Sequence, residues 1–189
     1  HSLINFEMPN MVNRLAEAAG KDYNYKLNIG NGANLNWHYN HPTTGQGDTW
    51  TTALPEGGFT HFIMTEAVPL KGHLQWSKTC EYADTFTRYA AQFNPNIKTY
   101  IYETWHCINS GNNIGCEWDN DDHIGWRTRL GQDKELWTGI VEKVKEYGNQ
   151  NVFMVPGGQG MALLYDVIYS NQFPDINNIN QIYSDDIHL

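Results

Sequence analysis

Thr60-His61-Phe62-Ile63-Met64, followed by residues 77–93 and then Ile97-Lys98-Thr99-Tyr100-Ile101-Tyr102, is the stretch that decides the fold. The first run is short and apolar, as expected of a buried strand. Residues 77–93 place Tyr82, Phe86, Tyr89 and Ala90 on one helical face, and Asn94-Pro95-Asn96 closes the helix. Residues 97–102 then form a second strand. A strand, a helix and a strand in this order predict a parallel pair with a helical crossover.

The same alternation continues in both directions. Residues 134–147 carry Leu136, Trp137, Ile140, Val141 and Val144 at helical spacing and stop at Gly148. Residues 152–155 form a short buried strand, and Pro156-Gly157-Gly158 turns the chain into a helix over 161–168. Upstream, Met11, Val12, Leu15 and Ala18 predict a helix over 9–19, and Tyr23, Tyr25, Leu27 and Ile29 alternate as in a strand over 23–29. Residues 30–58 and 105–125 are expected to be long loops, each following a strand. The expected class is α/β, a three-layer sandwich with a central parallel sheet, in one domain over residues 1–189. Sites in such sheets form at the carboxyl ends of the strands, where both loops belong.

Composition narrows the function classes. Twelve basic against 21 acidic residues give a net charge of −9, and no basic stripe is present, so neither nucleic acid nor an anionic membrane is an expected partner. No apolar run reaches the ~18 residues of a membrane span, and no signal-peptide pattern is seen. Seven Trp and 11 Tyr with few Lys suit a sugar-binding, secreted or periplasmic protein. Cys107 and Cys116 flank a Gly/Asn-rich loop and form either a local disulfide or two thiols, while Cys80 is expected to be a buried thiol. Asp119, Asp121, Asp122 and His123 lack the order of a calcium loop. Cys107, Cys116, His106 and His123 lack close Cys-x-x-Cys spacing, so neither a metal nor another cofactor is expected. Gly157-Gly158-Gln159-Gly160 lacks the marks of a phosphate loop and is expected to be a tight turn.

The chemistry-bearing residues lie at the two ends. Asp185 precedes His188 by three residues, and Ser2 lies near the start. A serine, an imidazole and a carboxylate together can make a hydroxyl attack an acyl carbon near neutral pH. His1-Ser2-Leu3, the glycine-bearing Gly30-Asn31-Gly32-Ala33-Asn34-Leu35 and the terminal Asp185-x-x-His188 resemble blocks of the SGNH (GDSL-type) hydrolase family. The first is similar to a Gly-His-Ser-Leu form of that family's Gly-Asp-Ser-Leu block, with His1 at the aspartate position. The resemblance implies a flavodoxin-like fold, Ser2 as nucleophile, His188 as general base and Asp185 as its orienting partner. It also implies an oxyanion hole from the N–H groups of Ser2 and Gly32.

Two departures from the family follow. Glu66 stands roughly where the family has an oxyanion-binding asparagine, and an ionised carboxylate repels an oxyanion. Glu66 is then either a structural partner or a protonated site residue, with Asn34, Trp105 and His106 as alternative donors. The family's first strand and last helix are also absent from the sequence. The implied activity is a serine esterase that removes acyl groups, above all acetyl, from a small-molecule or polysaccharide ester. Trp37, Trp50, Trp105, Trp118 and Trp126 are candidates to stack on sugar rings. The alternatives are a non-catalytic carbohydrate-binding module on the same fold and an acyltransferase.

Overall fold

A computed structural model describes residues 3–189. The elements in chain order are α1 (Glu7–Ala18), β1 (Asn28–Ile29), α2 (Leu35–Asn40), β2 (Gln46–Gly47), α3 (Trp50–Glu56), β3 (His61–Met64), α4 (Leu70–Trp76), α5 (Thr79–Phe93), β4 (Lys98–Tyr102), α6 (Trp126–Glu146), β5 (Val152–Val155) and α7 (Gly157–Tyr169), with a closing 3-10 turn over Ile179–Ile182. β3, β4 and β5 form a parallel sheet with β4 in the middle, in the register Met64↔Ile101 and Ile101↔Met154. The fold is therefore α/β, a parallel sheet flanked by helices.

Period-two alternation places Met64, Ile101 and Val152 on one sheet face. They pack there against Ala83 and Phe86 of α5 and Trp137, Ile140, Val141 and Val144 of α6. Trp137 is fully buried at the centre of this layer. On the opposite face Ile63 is 54% and Phe153 40% exposed. A second cluster lies at the carboxyl side of the sheet. It gathers Leu3, Trp105, Trp126, Leu130, Met161, Ala162, Ile168 and Ile179, with Ile187 and Tyr183 packed against it. Leu3 and Ile187, far apart in sequence, thus share one apolar cluster.

Three expectations need correction. Only Asn28–Ile29 of the 23–29 segment is a strand, and it pairs antiparallel with Gln46–Gly47 in a separate two-stranded sheet. Tyr23 and Tyr25 instead pack against each other as tilted rings 5.7 Å apart, and the Tyr25 hydroxyl donates to Asn10. The 30–58 segment contains two short helices, stabilised by tertiary contacts rather than by periodicity. Asn34 caps α2 by accepting from the Trp37 N–H at 2.7 Å, and Trp50 on α3 packs edge-on against Phe86 and Tyr89. Finally, α6 begins at Trp126 and not at Lys134. Its first two turns bury Arg129 and Asp133, charges that hide the apolar pattern.

The junction of β4 with α7 depends on two glycines. A Cβ on Gly158 would lie 2.7 Å from the Thr104 carbonyl oxygen and 3.0 Å from Glu103 Cδ, and one on Gly157 would lie 2.5 Å from the Glu103 carbonyl oxygen. Gly139, inside α6, has open space around the same position. Gly158→Ala is expected to destabilise the fold by about 1–3 kcal/mol through overpacking. Gly139→Ala is expected to stabilise it by up to about 1 kcal/mol through helix propensity. Urea denaturation of both variants checks the opposite signs.

Candidate functional site

Asp185 and His188 form a self-contained constellation. Asp185 Oδ1 accepts from the backbone N–H groups of Ile187 (2.8 Å) and His188 (2.7 Å), and Oδ2 lies 2.7 Å from His188 Nδ1. The three-residue spacing lets one carboxylate close a turn and hold the ring in the same act. These bonds favour the charged form, so the carboxyl is held down to about 2, the backbone N–H of His188 being the largest cause.

The segment is anchored to the end of β4. The Trp105 indole N–H donates to the Ile187 carbonyl at 2.9 Å, and the Ile108 N–H donates to the Asp186 carbonyl at 2.7 Å. Cys107 and Cys116 form a disulfide, and Cys107 Sγ lies 3.8 Å from Asp186 Oδ2. Trp105 is buried, so its role is to position the tail and not to receive a substrate. Ser2, the candidate nucleophile and oxyanion donor, and His1 lie outside the described residues. Leu3, the residue after Ser2, belongs to the same apolar cluster as Trp105 and Ile187.

A second group surrounds the start of α2, at the end of β3. Gly32, with φ +65°, is the third residue of an exposed turn closed by the Ala33 N–H and the Gly30 carbonyl. The Asn34 amide donates to Ser77 Oγ at 3.1 Å and lies 3.3 Å from His73 Nδ1. That amide holds α2 against α4, which corrects its candidacy as a substrate donor. Trp37 is half-buried and stacks on His41 at 4.8 Å. The Thr65 hydroxyl donates to the Tyr102 carbonyl at 2.8 Å, joining the ends of β3 and β4.

Glu66 is the structural partner of this group. It is 1% exposed, and its carboxylate accepts from Ala67 N (2.7 Å), Leu35 N (3.2 Å) and Thr79 Oγ1 (2.8 Å). An acceptor with this many donors does not supply the missing oxyanion bond. Glu103, after β4, repeats the device: it accepts from Gln159 N at 3.2 Å and Gln159 Nε2 at 2.7 Å, filling the start of α7. The Gly157-Gly158-Gln159-Gly160 run is accordingly the first turn of a helix whose anion is internal.

Burial raises Glu66 to about 6, against the opposing pull of its hydrogen bonds. Between 4.5 and about 6 the unfolded chain ionises before the folded one, so stability falls as pH rises through that window. The cost is about 2 kcal/mol at neutral pH. Burial has the opposite pH effect at His38, which is lowered to about 4 and costs stability as pH falls below 6.5. Glu66→Gln keeps an acceptor for Leu35 and Ala67 but cannot ionise. Its stability relative to the parent is expected to rise by about 2 kcal/mol from pH 4 to pH 7.5, with the His38 contribution cancelling in the difference. Urea midpoints at four pH values check this, and a flat difference contradicts it.

His106 belongs to a buried ionic network and not to a substrate surface. Its Nε2 is hydrogen-bonded to Asp133, and its Nδ1 lies 3.9 Å from Asp119. Arg129 NH1 donates to Asp119 Oδ2 (3.0 Å) and to the Asp121 carbonyl (2.7 Å), and its Nε lies 3.8 Å from Asp133. The network pins the 105–125 loop to α6. The i, i+4 spacing of Arg129 and Asp133 was the one sequence signal for it. Trp50, Trp105 and Trp126 pack in the interior, which corrects their reading as open sugar platforms, whereas Trp118 is exposed.

Among the described residues, no group of three or more His, Cys, Asp or Glu side chains is placed to hold a metal. No helix among them is long and apolar enough to cross a membrane. Comparison with protein-family models, curated proteins and solved structures gave no match.

Proposed function

We propose that the protein is a serine esterase of SGNH type, on a flavodoxin-like version of its α/β fold, acting on O-acyl esters of carbohydrate. The observation that carries this is the Asp185–His188 pair: a carboxylate held by two backbone N–H groups grips Nδ1 of the ring. With Nδ1 so engaged, Nε2 is the nitrogen that takes a proton. Support for Ser2 as the partner comes from its neighbour Leu3, which shares a core cluster with Ile187, the neighbour of His188.

Ser2 Oγ attacks the ester carbonyl while its proton passes to His188 Nε2. The N–H groups of Ser2 and Gly32 meet the oxyanion. Collapse of the tetrahedral intermediate breaks the ester C–O bond, and His188 returns the proton to the departing alkoxide. Water, deprotonated by His188, then attacks the acyl-enzyme, and the carboxylic acid and Ser2 hydroxyl are released. A secreted or periplasmic setting fits the Cys107–Cys116 disulfide. The test is hydrolysis of p-nitrophenyl acetate by the parent and by Ser2→Ala. Activity lost in the variant supports the mechanism, and activity unchanged by the substitution removes Ser2 from it.

A further inference from the structure

A pocket of about 320 Å³ opens between the start of α6, the end of α7 and the closing 3-10 turn. That volume lies at the lower end of small-ligand sites, which run from about 300 to 1,000 Å³. One wall is a pair of tyrosine rings, with the buried Trp126 indole at its inner end. Tyr165 and Tyr169, an i, i+4 pair on α7, have centroids 4.3 Å apart, and Tyr165 lies 5.8 Å from Trp126. Trp126 is held in place by donating its indole N–H to the His106 carbonyl at 3.1 Å. Tyr165 is half-buried and Tyr169 exposed, so the wall runs from the interior to solvent.

The rim is polar. Arg127 forms a planar two-pronged pair with Asp166, Nε to Oδ1 at 2.9 Å and NH2 to Oδ2 at 2.7 Å. That pair uses two of the five guanidinium N–H groups. Thr128 and Asn180 add a hydroxyl and an amide. The pocket adjoins the Asp185–His188 segment, because Ile108, which also lines it, donates to the Asp186 carbonyl.

We propose that this pocket is a saccharide subsite that holds the sugar part of the ester substrate. An aromatic wall takes the apolar C–H face of a pyranose, and hydroxyl, amide and guanidinium groups take its hydroxyls. A phosphorylated or otherwise anionic ligand fits less well, since Asp166 offsets the charge of Arg127 while leaving it N–H groups to donate, and the chain carries a net charge of −9. A lipid chain would leave the polar rim without partners. The location of the sugar rests on the esterase reading only for its role as substrate; binding itself does not depend on it.

The experiment measures binding of cellobiose, xylobiose and N,N′-diacetylchitobiose by saturation-transfer NMR and by tryptophan fluorescence. At least one is expected to bind. Tyr169→Ala, an exposed change, is expected to weaken that binding by about tenfold or more. Tyr165→Phe, which keeps the ring, is expected to leave it within about twofold. Ser2→Ala is expected to bind as the parent does. The proposal is overturned if none of the three sugars binds, or if Tyr169→Ala and Asn180→Ala both leave affinity unchanged. Tyr169-dependent binding without ester hydrolysis would sink the esterase reading and keep the subsite. Ser2-dependent hydrolysis without sugar binding would do the reverse.

Discussion

Ser2→Ala is expected to lower kcat on p-nitrophenyl acetate by a factor on the order of 10⁴ or more, with KM nearly unchanged. The small ester makes little use of ground-state contacts, so the loss falls on the chemical step. Asp185→Asn is the more discriminating companion. An asparagine keeps the Oδ1 acceptor for the Ile187 and His188 N–H groups, so the turn survives. It presents an N–H to His188 Nδ1, however, which forces the proton onto Nε2 and removes the base. A loss on the order of 10³- to 10⁴-fold in a protein that still folds is therefore expected. A Ser2→Ala protein that hydrolyses the ester at the parental rate, or an Asp185→Asn protein of full activity, defeats the mechanism.

The second large effect is on stability. Arg129→Met is expected to cost about 3–5 kcal/mol, because it takes the direct hydrogen-bond partner from Asp119, whose side chain is 6% exposed, and leaves Asp133, 9% exposed, with His106 alone. Coulomb attraction within the cluster need not exceed the cost of burying its charges. The penalty arises from removing one partner and leaving the others in a place with little water. Adding Asp133→Leu and Asp119→Asn should therefore recover part of the loss, and a cycle of single and combined variants measures how much. An Arg129→Met protein within about 1 kcal/mol of the parent in urea denaturation refutes this account of the network.

The three strands of the main sheet and α5 were legible in the sequence because their signals are local. Apolar runs bounded by turn residues mark β3, β4 and β5, and helical spacing marks α5. The Asp185–His188 contact was legible for the same reason, since both partners lie within one turn of chain. What escaped depends on distant partners. α2 spans six residues and is stabilised by Asn34 and by the carboxylate of Glu66, 31 positions from Leu35. Nothing in the local pattern separates the buried Glu66 and Glu103 from exposed glutamates, because burial of a carboxylate is decided by which N–H groups the fold brings to it. The tryptophans misled for a related reason. Indoles suit sugar faces and apolar cores equally well, and Trp50 and Trp105 went to the core while two tyrosines of α7 line the pocket.

The Cys107–Cys116 bond lies one residue from Ile108, whose N–H grips the Asp-x-x-His segment. The choice of expression host thus bears on the uniformity of the purified protein. Material produced by export through an oxidising compartment should carry a homogeneous loop. Batches from a reducing cytoplasm should vary in specific activity with their thiol content, and a titration of free thiols would sort good preparations from poor ones before any assay is run.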